Sequence, residues 1–267
     1  MRRMVLLGAL TLALTGCNNP FGGSKSSPTP ASSAAAAAAS AAEASAPKAV
    51  TLRAGDGLTV FARRYDAKKP KALILLFHQA GSSKDEYATI APRLAKAGYS
   101  SLAVDARVGG HLFGTNETAA SLTTKVDYVE AQKDMQAALI WAESQNLPVI
   151  LWGSSYSASL VFPLAEVNPD KVNAILAFSP GEYFDDKTLI QQAAADATVP
   201  VFITSASTPD EIAAAGRIAA AVPGGRAQHY IPKVGVHGSS TLIAAKDPKG
   251  AEDNWAAVMA FLKKVAP

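Results

Sequence analysis

The feature that most constrains the fold of this chain is an apolar run that ends in a serine-rich turn. Residues 148–152 read Pro-Val-Ile-Leu-Trp, residues 153–157 read Gly-Ser-Ser-Tyr-Ser, and a helical pattern follows at once. So abrupt a passage from strand to helix predicts a tight turn that exposes the hydroxyl of Ser155. The N–H of Tyr156 would then lie at a helix N-terminus, free to donate to a negative charge. A serine that only caps a helix is the alternative.

Short apolar runs alternate with helical patterns along the rest of the chain, which predicts an α/β fold. Strands are predicted over residues 50–53, 58–65, 72–78, 100–104, 149–152, 174–178, 201–205 and 228–231. Helices are predicted over residues 87–97, 127–144, 156–167, 187–195, 211–221 and 253–265. We therefore expect a mostly parallel sheet of about eight strands, with helices on both faces and no large cap domain. The sheet should begin with an antiparallel hairpin that turns at residues 55–57.

The N-terminus has the pattern of an export signal with a lipid attachment site. Two arginines precede an apolar stretch that ends in Leu-Thr-Gly-Cys at residues 14–17, and Cys17 is the only cysteine of the chain. This ending resembles the lipobox of bacterial lipoproteins, which implies cleavage before Cys17 and lipidation of Cys17 as the new N-terminus. We therefore divide the chain into a signal peptide (1–16), a lipidated cysteine with an Ala/Ser/Pro tether (17–47) and a folded domain (48–267). The lipid would anchor the protein to a membrane in the bacterial cell envelope, on the periplasmic or outer-membrane side.

Composition excludes several classes of function. The chain has 267 residues, 49% of them hydrophobic, which suits one domain with a single core. Arg2 and Arg3 account for two of the three net positive charges, and no basic stripe follows, so we expect no nucleic-acid partner. A sole cysteine permits no internal disulfide, and no set of residues has metal-ligand spacing. We expect a monomer that needs neither metal nor cofactor.

Residues 72–237 resemble the α/β-hydrolase superfamily, most closely its dienelactone-hydrolase-like and esterase members. The resemblance is carried by the turn around Ser155, by His-x-x-Gly at 78–81, by Asp-Ala-Arg-Val-Gly-Gly at 105–110 and by His-Gly at 237–238. It implies that Asp105 and Arg107 brace loops rather than react. Dienelactone hydrolases use a cysteine nucleophile, so a serine at this position points to esterase chemistry. Ser157 departs from the family pattern, which has glycine there.

A catalytic serine needs a base and an orienting acid, which follow it in the order acid, then histidine, in this superfamily. The histidines after Ser155 are His229, inside a predicted strand, and His237, in a loop of small residues; we choose His237 as the base. The acid should follow the strand over 201–205, where Asp210 and Glu211 both qualify. We place Asp210 first and Glu211 second, with Glu182 or Asp185 as more remote alternatives.

The oxyanion of the reaction needs two N–H donors, and we assign them to Tyr156 and Gln79. Gln79 follows His78, which we interpret as a structural residue because it precedes the serine in the chain. Phe113, Tyr183 and Phe184 could line a substrate pocket, but we favour ordinary packing for them.

The resulting hypothesis is a serine hydrolase that cleaves a small-molecule carboxylic ester through an acyl-enzyme. Cleavage of lactones, thioesters or peptides by the same residues is one alternative. A non-catalytic envelope protein that keeps the fold for binding is the other.

Overall fold

A computed structural model describes residues 46–267, and the central element of this part of the chain is an eight-stranded sheet. The strands are β1 (Lys48–Arg53), β2 (Thr59–Tyr65), β3 (Leu73–Phe77), β4 (Ser100–Val104), β5 (Val149–Ser154), β6 (Ala174–Phe178), β7 (Val201–Thr204) and β8 (Ala227–His229). Their order is β1-β2-β4-β3-β5-β6-β7-β8. β2 pairs antiparallel with β1 and with β4, and all other pairs are parallel.

Residues 46–267 contain seven α-helices, of which six lie between strands and the seventh follows β8. They are α1 (Ile90–Lys96), α2 (Glu117–Ala120), α3 (Gln132–Glu143), α4 (Tyr156–Glu166), α5 (Leu189–Ala195), α6 (Pro209–Ala221) and α7 (Ala251–Val265). Three 3-10 helices accompany them, at Lys84–Tyr87, Tyr128–Ala131 and Gly238–Leu242. The first follows β3, the second precedes α3 and the third follows β8.

The sheet is buried on both faces because its central strands are apolar throughout. In β3, Leu75 and Phe77 belong to one apolar cluster and Ile74 and Leu76 to the other. Helices α3 to α6 cover the first face, and α1 and α7 cover the second. Side chains alternate across a strand, so an uninterrupted apolar run is the sequence of a strand with no solvent face.

The predicted fold class is confirmed, with small differences at the ends of elements. The helix expected over 87–97 is shorter, because α1 begins only at Ile90, after a 3-10 helix that ends at Tyr87, and strand β3 ends one residue before His78. The lipoprotein signal, Cys17 and nearly all of the tether lie outside the described residues. Within residues 46–267, no helix has both the length and the apolar character needed to cross a membrane.

Candidate active site

Ser155 lies at the apex of the turn between β5 and α4, in a conformation that few side chains adopt. Its φ and ψ are 62° and −123°, and its N–H donates to the carbonyl of Phe178 on β6 at 2.8 Å. Gly153 makes the turn possible, because a Cβ there would lie 2.4 Å from the backbone N of Ala158 and from the carbonyl O of Ser157. Backbone strain of this kind is found mainly at functional sites, where neighbouring bonds hold it.

Ser157 replaces the family's glycine without opening the turn. Its side chain is fully buried, and its hydroxyl donates to the carbonyl of Phe77 at 2.8 Å. The same oxygen accepts the N–H of Ser154 at 2.9 Å. The departure from the family pattern therefore adds a link between the ends of β3 and β5.

Ser155, His237 and Glu211 form a continuous relay of hydrogen bonds. The Ser155 hydroxyl lies 2.8 Å from Nε2 of His237, and Nδ1 of His237 lies 2.9 Å from Oε1 of Glu211. Ser155 is 8% exposed, so the residue is largely shielded from water. A serine, a histidine and a carboxylate at these distances can transfer a proton and present a nucleophile.

The structure corrects the order in which the two candidate acids were placed. Asp210 is exposed and forms no hydrogen bond or ion pair with His237, whereas Glu211 reaches it. Helix α6 begins at Pro209, which makes Glu211 its third residue, and side chains at this position reach back over the N-terminus. Oε2 of Glu211 accordingly accepts the N–H of Ala206 at 3.0 Å. Adjacent helical residues point about 100° apart, so only one of the pair can face His237.

The surroundings of Glu211 keep its carboxylate ionised. Burial acts to raise its pKa, but hydrogen bonds from His237, Ser179 and the Ala206 N–H outweigh burial and lower the pKa from 4.5 to about 2. The carboxylate is therefore negative at neutral pH. It can both fix the imidazole and stabilise its positive charge.

The structure also corrects the assignment of Gln79 as an oxyanion donor. Its N–H donates to Oε2 of Glu86 at 2.8 Å, so it is not available to a ligand. The next residue in the turn, Ala80, is partly exposed, and its N–H has no acceptor within residues 46–267. Tyr156 begins α4, so its N–H has no acceptor one helical turn back. Sequence reasoning missed Ala80 because nothing in the motif marks Glu86 as the partner of Gln79.

His78 is structural, as its place in the chain suggested. It is fully buried, and its Nδ1 faces the carbonyl of Gln79 at 2.8 Å while Nε2 accepts the N–H of Ala106 at 3.0 Å. These bonds place the proton on Nδ1. Burial lowers the pKa of His78, so the ring is neutral. It ties the turn after β3 to the turn after β4.

Asp105 and Arg107 brace the loop after β4, as the resemblance implied. Asp105 accepts the N–H and the ammonium of Lys84, each at 2.6 Å. Arg107 is bonded to the buried Asp134 at 2.8 Å and to Asp56 at 2.6 Å. Neither side chain is directed to the relay.

The other candidates lie away from the relay. Both oxygens of Glu182 accept N–H groups at the start of α5, from Ile190 at 3.0 Å and Gln191 at 2.9 Å, and Asp185 is exposed. His229 lies in β8, as predicted, and Nε2 of its ring has no hydrogen-bond partner among the described residues.

Of the three aromatic residues considered for a pocket, two pack elsewhere, as favoured from the sequence, and Tyr183 lies near the site. Phe184 packs in the core, and Phe113 packs beside the other apolar cluster. The Tyr183 hydroxyl donates to the carbonyl of Ser179 at 2.8 Å. Burial and the charge of Glu211 raise the pKa of Tyr183, and an interaction with the Ser155 hydroxyl opposes them. Its hydroxyl end therefore lies near the Ser155 hydroxyl.

A cavity of about 340 Å³ lies beside the turn that carries Ala80. Gly81, Val108 and Tyr128 contribute to its lining, and the Tyr128 ring stacks on that of Tyr156 at 5.1 Å. Its volume is within the range of small-molecule sites.

The family model for serine aminopeptidase, S33, matches residues 68–210, which is more than half of the chain. The chain belongs to this family. The matched range of this hydrolase contains Ser155 and Ala80 but ends before Glu211 and His237. The link from Glu211 and His237 to Ser155 therefore comes from the hydrogen bonds of the structure and not from the family match. No curated protein matches the sequence.

Solved structures similar to this S33-family hydrolase include several esterases. A Pyrococcus furiosus esterase has 18% identity and a TM-score of 0.63, with 83% of this chain and 93% of that one covered. A dienelactone hydrolase from Anabaena variabilis has 16% identity and a TM-score of 0.67, with 83% and 99% covered. A thermostable carboxyl esterase from Bacillus coagulans has 10% identity and a TM-score of 0.62, with 83% and 99% covered. At such identities the similarity establishes the α/β-hydrolase fold.

Proposed function

We propose that this hydrolase cleaves carboxylic esters through an acyl-enzyme formed on Ser155. The observation that carries the proposal is the relay from Ser155 to His237 at 2.8 Å and from His237 to Glu211 at 2.9 Å. The esterases and the dienelactone hydrolase of the same fold support ester chemistry over other acyl transfers.

Each residue of the relay has one role in the proposed reaction. Nε2 of His237 takes the proton of the Ser155 hydroxyl as the oxygen attacks the ester carbonyl, and Glu211 holds the imidazole and its charge. The N–H groups of Ala80 and Tyr156 bind the oxyanion. The imidazolium then protonates the leaving alcohol, and the same His237 activates the water that releases the acid.

The proposed place of the substrate follows from the surroundings of the nucleophile. We assign one part of the ester to the cavity beside Ala80, since its lining continues to the Tyr156 ring through Tyr128. The Tyr183 ring would border the other part. The cavity volume of about 340 Å³ is in the range of small-molecule sites, which supports a small ester as substrate.

Labelling with a fluorophosphonate probe tests the nucleophile. The wild-type protein should be labelled and should hydrolyse p-nitrophenyl esters, and Ser155→Ala should do neither while remaining folded. A folded wild-type protein that is neither labelled nor active would instead support a binding protein. A chain-length series of p-nitrophenyl esters would then define the acyl preference.

Peptide hydrolysis is the second candidate, because the family is described as serine aminopeptidases. Amino-acid p-nitroanilides should be cleaved at least ~100-fold more slowly than p-nitrophenyl esters if the ester proposal is right, a difference of about 3 kcal/mol in activation free energy. The reverse preference would assign an aminopeptidase.

We also propose that the protein is lipidated at Cys17 and located in the bacterial cell envelope. The support is the sequence Leu-Thr-Gly-Cys at residues 14–17 after a short apolar stretch. Metabolic labelling with a fatty acid should mark the wild-type protein and not Cys17→Ala, and only the former should sediment with membranes.

A further inference from the structure

A second buried acid, Glu86, lies behind the oxyanion turn and takes no part in the relay. It belongs to the 3-10 helix Lys84–Tyr87 and is 1% exposed. Oε2 accepts the N–H of Gln79 at 2.8 Å, and Oε1 accepts the hydroxyl of Ser154 at 2.7 Å. Within residues 46–267 no lysine, arginine or histidine forms an ion pair with it.

The Glu86 carboxylate is the start of a chain of buried hydrogen bonds. The Ser154 oxygen that donates to it also accepts the N–H of Ser239 at 2.9 Å. The hydroxyl of Ser239 in turn accepts the indole N–H of Trp152 at 2.9 Å. Three separate segments therefore meet here: the turn after β3, the end of β5 and the loop that carries His237.

Close approach at this point requires a glycine. Gly238 has φ of 66°, and a Cβ on it would lie 2.4 Å from the Ser154 hydroxyl oxygen. The His237 loop therefore touches the β5 turn directly at Ser154. This contact fixes how far His237 can lie from Ser155.

Each residue held by this cluster adjoins a reacting group. Gln79 precedes Ala80, Ser154 precedes Ser155, and Ser239 lies two residues after His237. A shift of one segment would move an oxyanion donor, the nucleophile or the base relative to the other two. Errors of about 1 Å in such sites can cost ~100-fold in rate.

Stability alone does not account for an acid at this position. Burial raises the pKa of Glu86, which means that the fold disfavours its charge. Buried charges without a counter-ion are costly, and apolar side chains of similar volume often serve stability as well or better. What an apolar residue cannot do is accept two hydrogen bonds from two different segments.

We propose that Glu86 is a positioning residue that holds the oxyanion turn, the nucleophile turn and the His237 loop in register through Gln79 and Ser154. The inference rests on the proposed serine hydrolase activity. It concerns the geometry of the site and not a chemical step.

Two variants of the full chain test this role, Glu86→Gln and Ser154→Ala. With p-nitrophenyl acetate we expect kcat to fall ~30-fold for Glu86→Gln and ~10-fold for Ser154→Ala, with KM within threefold of wild type. The double variant should lose no more than Glu86→Gln alone, because both changes break the same bond. Ser154→Ala keeps the bond to Gln79, so it supplies the test if Glu86→Gln fails to fold.

Matched controls separate positioning from general destabilisation. Ser101→Ala removes a buried hydroxyl that has no partner, and Glu252→Gln removes an exposed acid paired with Arg93; both should keep wild-type kcat. Folded variants at Glu86 and Ser154 with kcat within twofold of wild type, or with additive losses, would overturn the inference while wild type remains active. An unlabelled and inactive wild type would overturn the proposed function, and this inference with it.

Discussion

Replacement of Glu211 by glutamine should remove most of the activity, while the same type of change at its neighbour Asp210 should not. Both residues lie in the first turn of α6, but only Glu211 bonds to His237. Glutamine keeps the length of the side chain and one carbonyl oxygen. It cannot supply the negative charge that the imidazolium needs.

The size of the effect follows from the pKa of Glu211, which is lowered from 4.5 to about 2. Each tenfold change in the protonation equilibrium is worth about 1.4 kcal/mol, so the site favours the ionised carboxylate by about 3 kcal/mol. If the imidazolium of the transition state loses an interaction of comparable size, kcat falls ~100-fold. The loss of the acid also allows the imidazole proton to move to the wrong nitrogen, and serine hydrolases that lose this acid have kcat lowered ~10⁴-fold. We therefore expect a loss between these two values for Glu211→Gln.

The assay is single-turnover acylation by p-nitrophenyl acetate, with thermal unfolding as the check on folding. Asp210→Asn is the matched control and should stay within threefold of wild type. If Glu211→Gln retains more than a tenth of the wild-type rate, or Asp210→Asn loses as much, the acid assignment is wrong.

Three further predictions concern the support of the site. Gly153→Ala should reduce the free energy of unfolding, measured by urea titration, by about 3 kcal/mol and abolish fluorophosphonate labelling, because the new Cβ would lie 2.4 Å from backbone atoms. Gly55→Ala is the control, since no atom lies within 4 Å of its Cβ, and it should leave the free energy of unfolding unchanged. Asp134→Asn should lower the free energy of unfolding by about 3 kcal/mol, since Arg107 then loses a fully buried partner, and unchanged urea midpoints would contradict this. The stability that Glu211 contributes should be present above pH 4.5 and lost as pH falls from 4.5 to about 2, so the difference from Glu211→Gln should shrink over that window in urea unfolding.

Local patterns were sufficient to predict most of the fold. The run of apolar residues in β3 has no polar face, and the structure buries all five of its residues. The turn at Ser155 follows from residues adjacent in sequence, because glycine and serine permit it and the helix begins at once. Such features depend on sequence neighbours, and sequence reasoning reads these well.

The parts that could not be predicted depend on contacts between distant segments. Whether Asp210 or Glu211 faces the base is decided by the residue at which α6 begins, and helix ends are hard to locate from sequence. The N–H of Gln79 is taken by Glu86, which lies seven residues later in the chain and ahead of the helix predicted over 87–97. Asp210 and Glu211 are both acids at the start of one helix, so only contacts in the folded chain distinguish them.

The acid of this site is carried by a helix and not by a flexible loop, and this has a physical consequence. Glu211 lies in the first turn of α6, where the helix dipole favours a negative charge, and it accepts the N–H of Ala206 on its second oxygen. One carboxylate therefore stabilises the helix start and orients His237. Because the residues of α6 pack against the sheet, its position is fixed before any substrate binds. The side chain of Glu211 is long enough to reach His237 from the helix. Asp210 is shorter and exposed to solvent, and it does not reach the base.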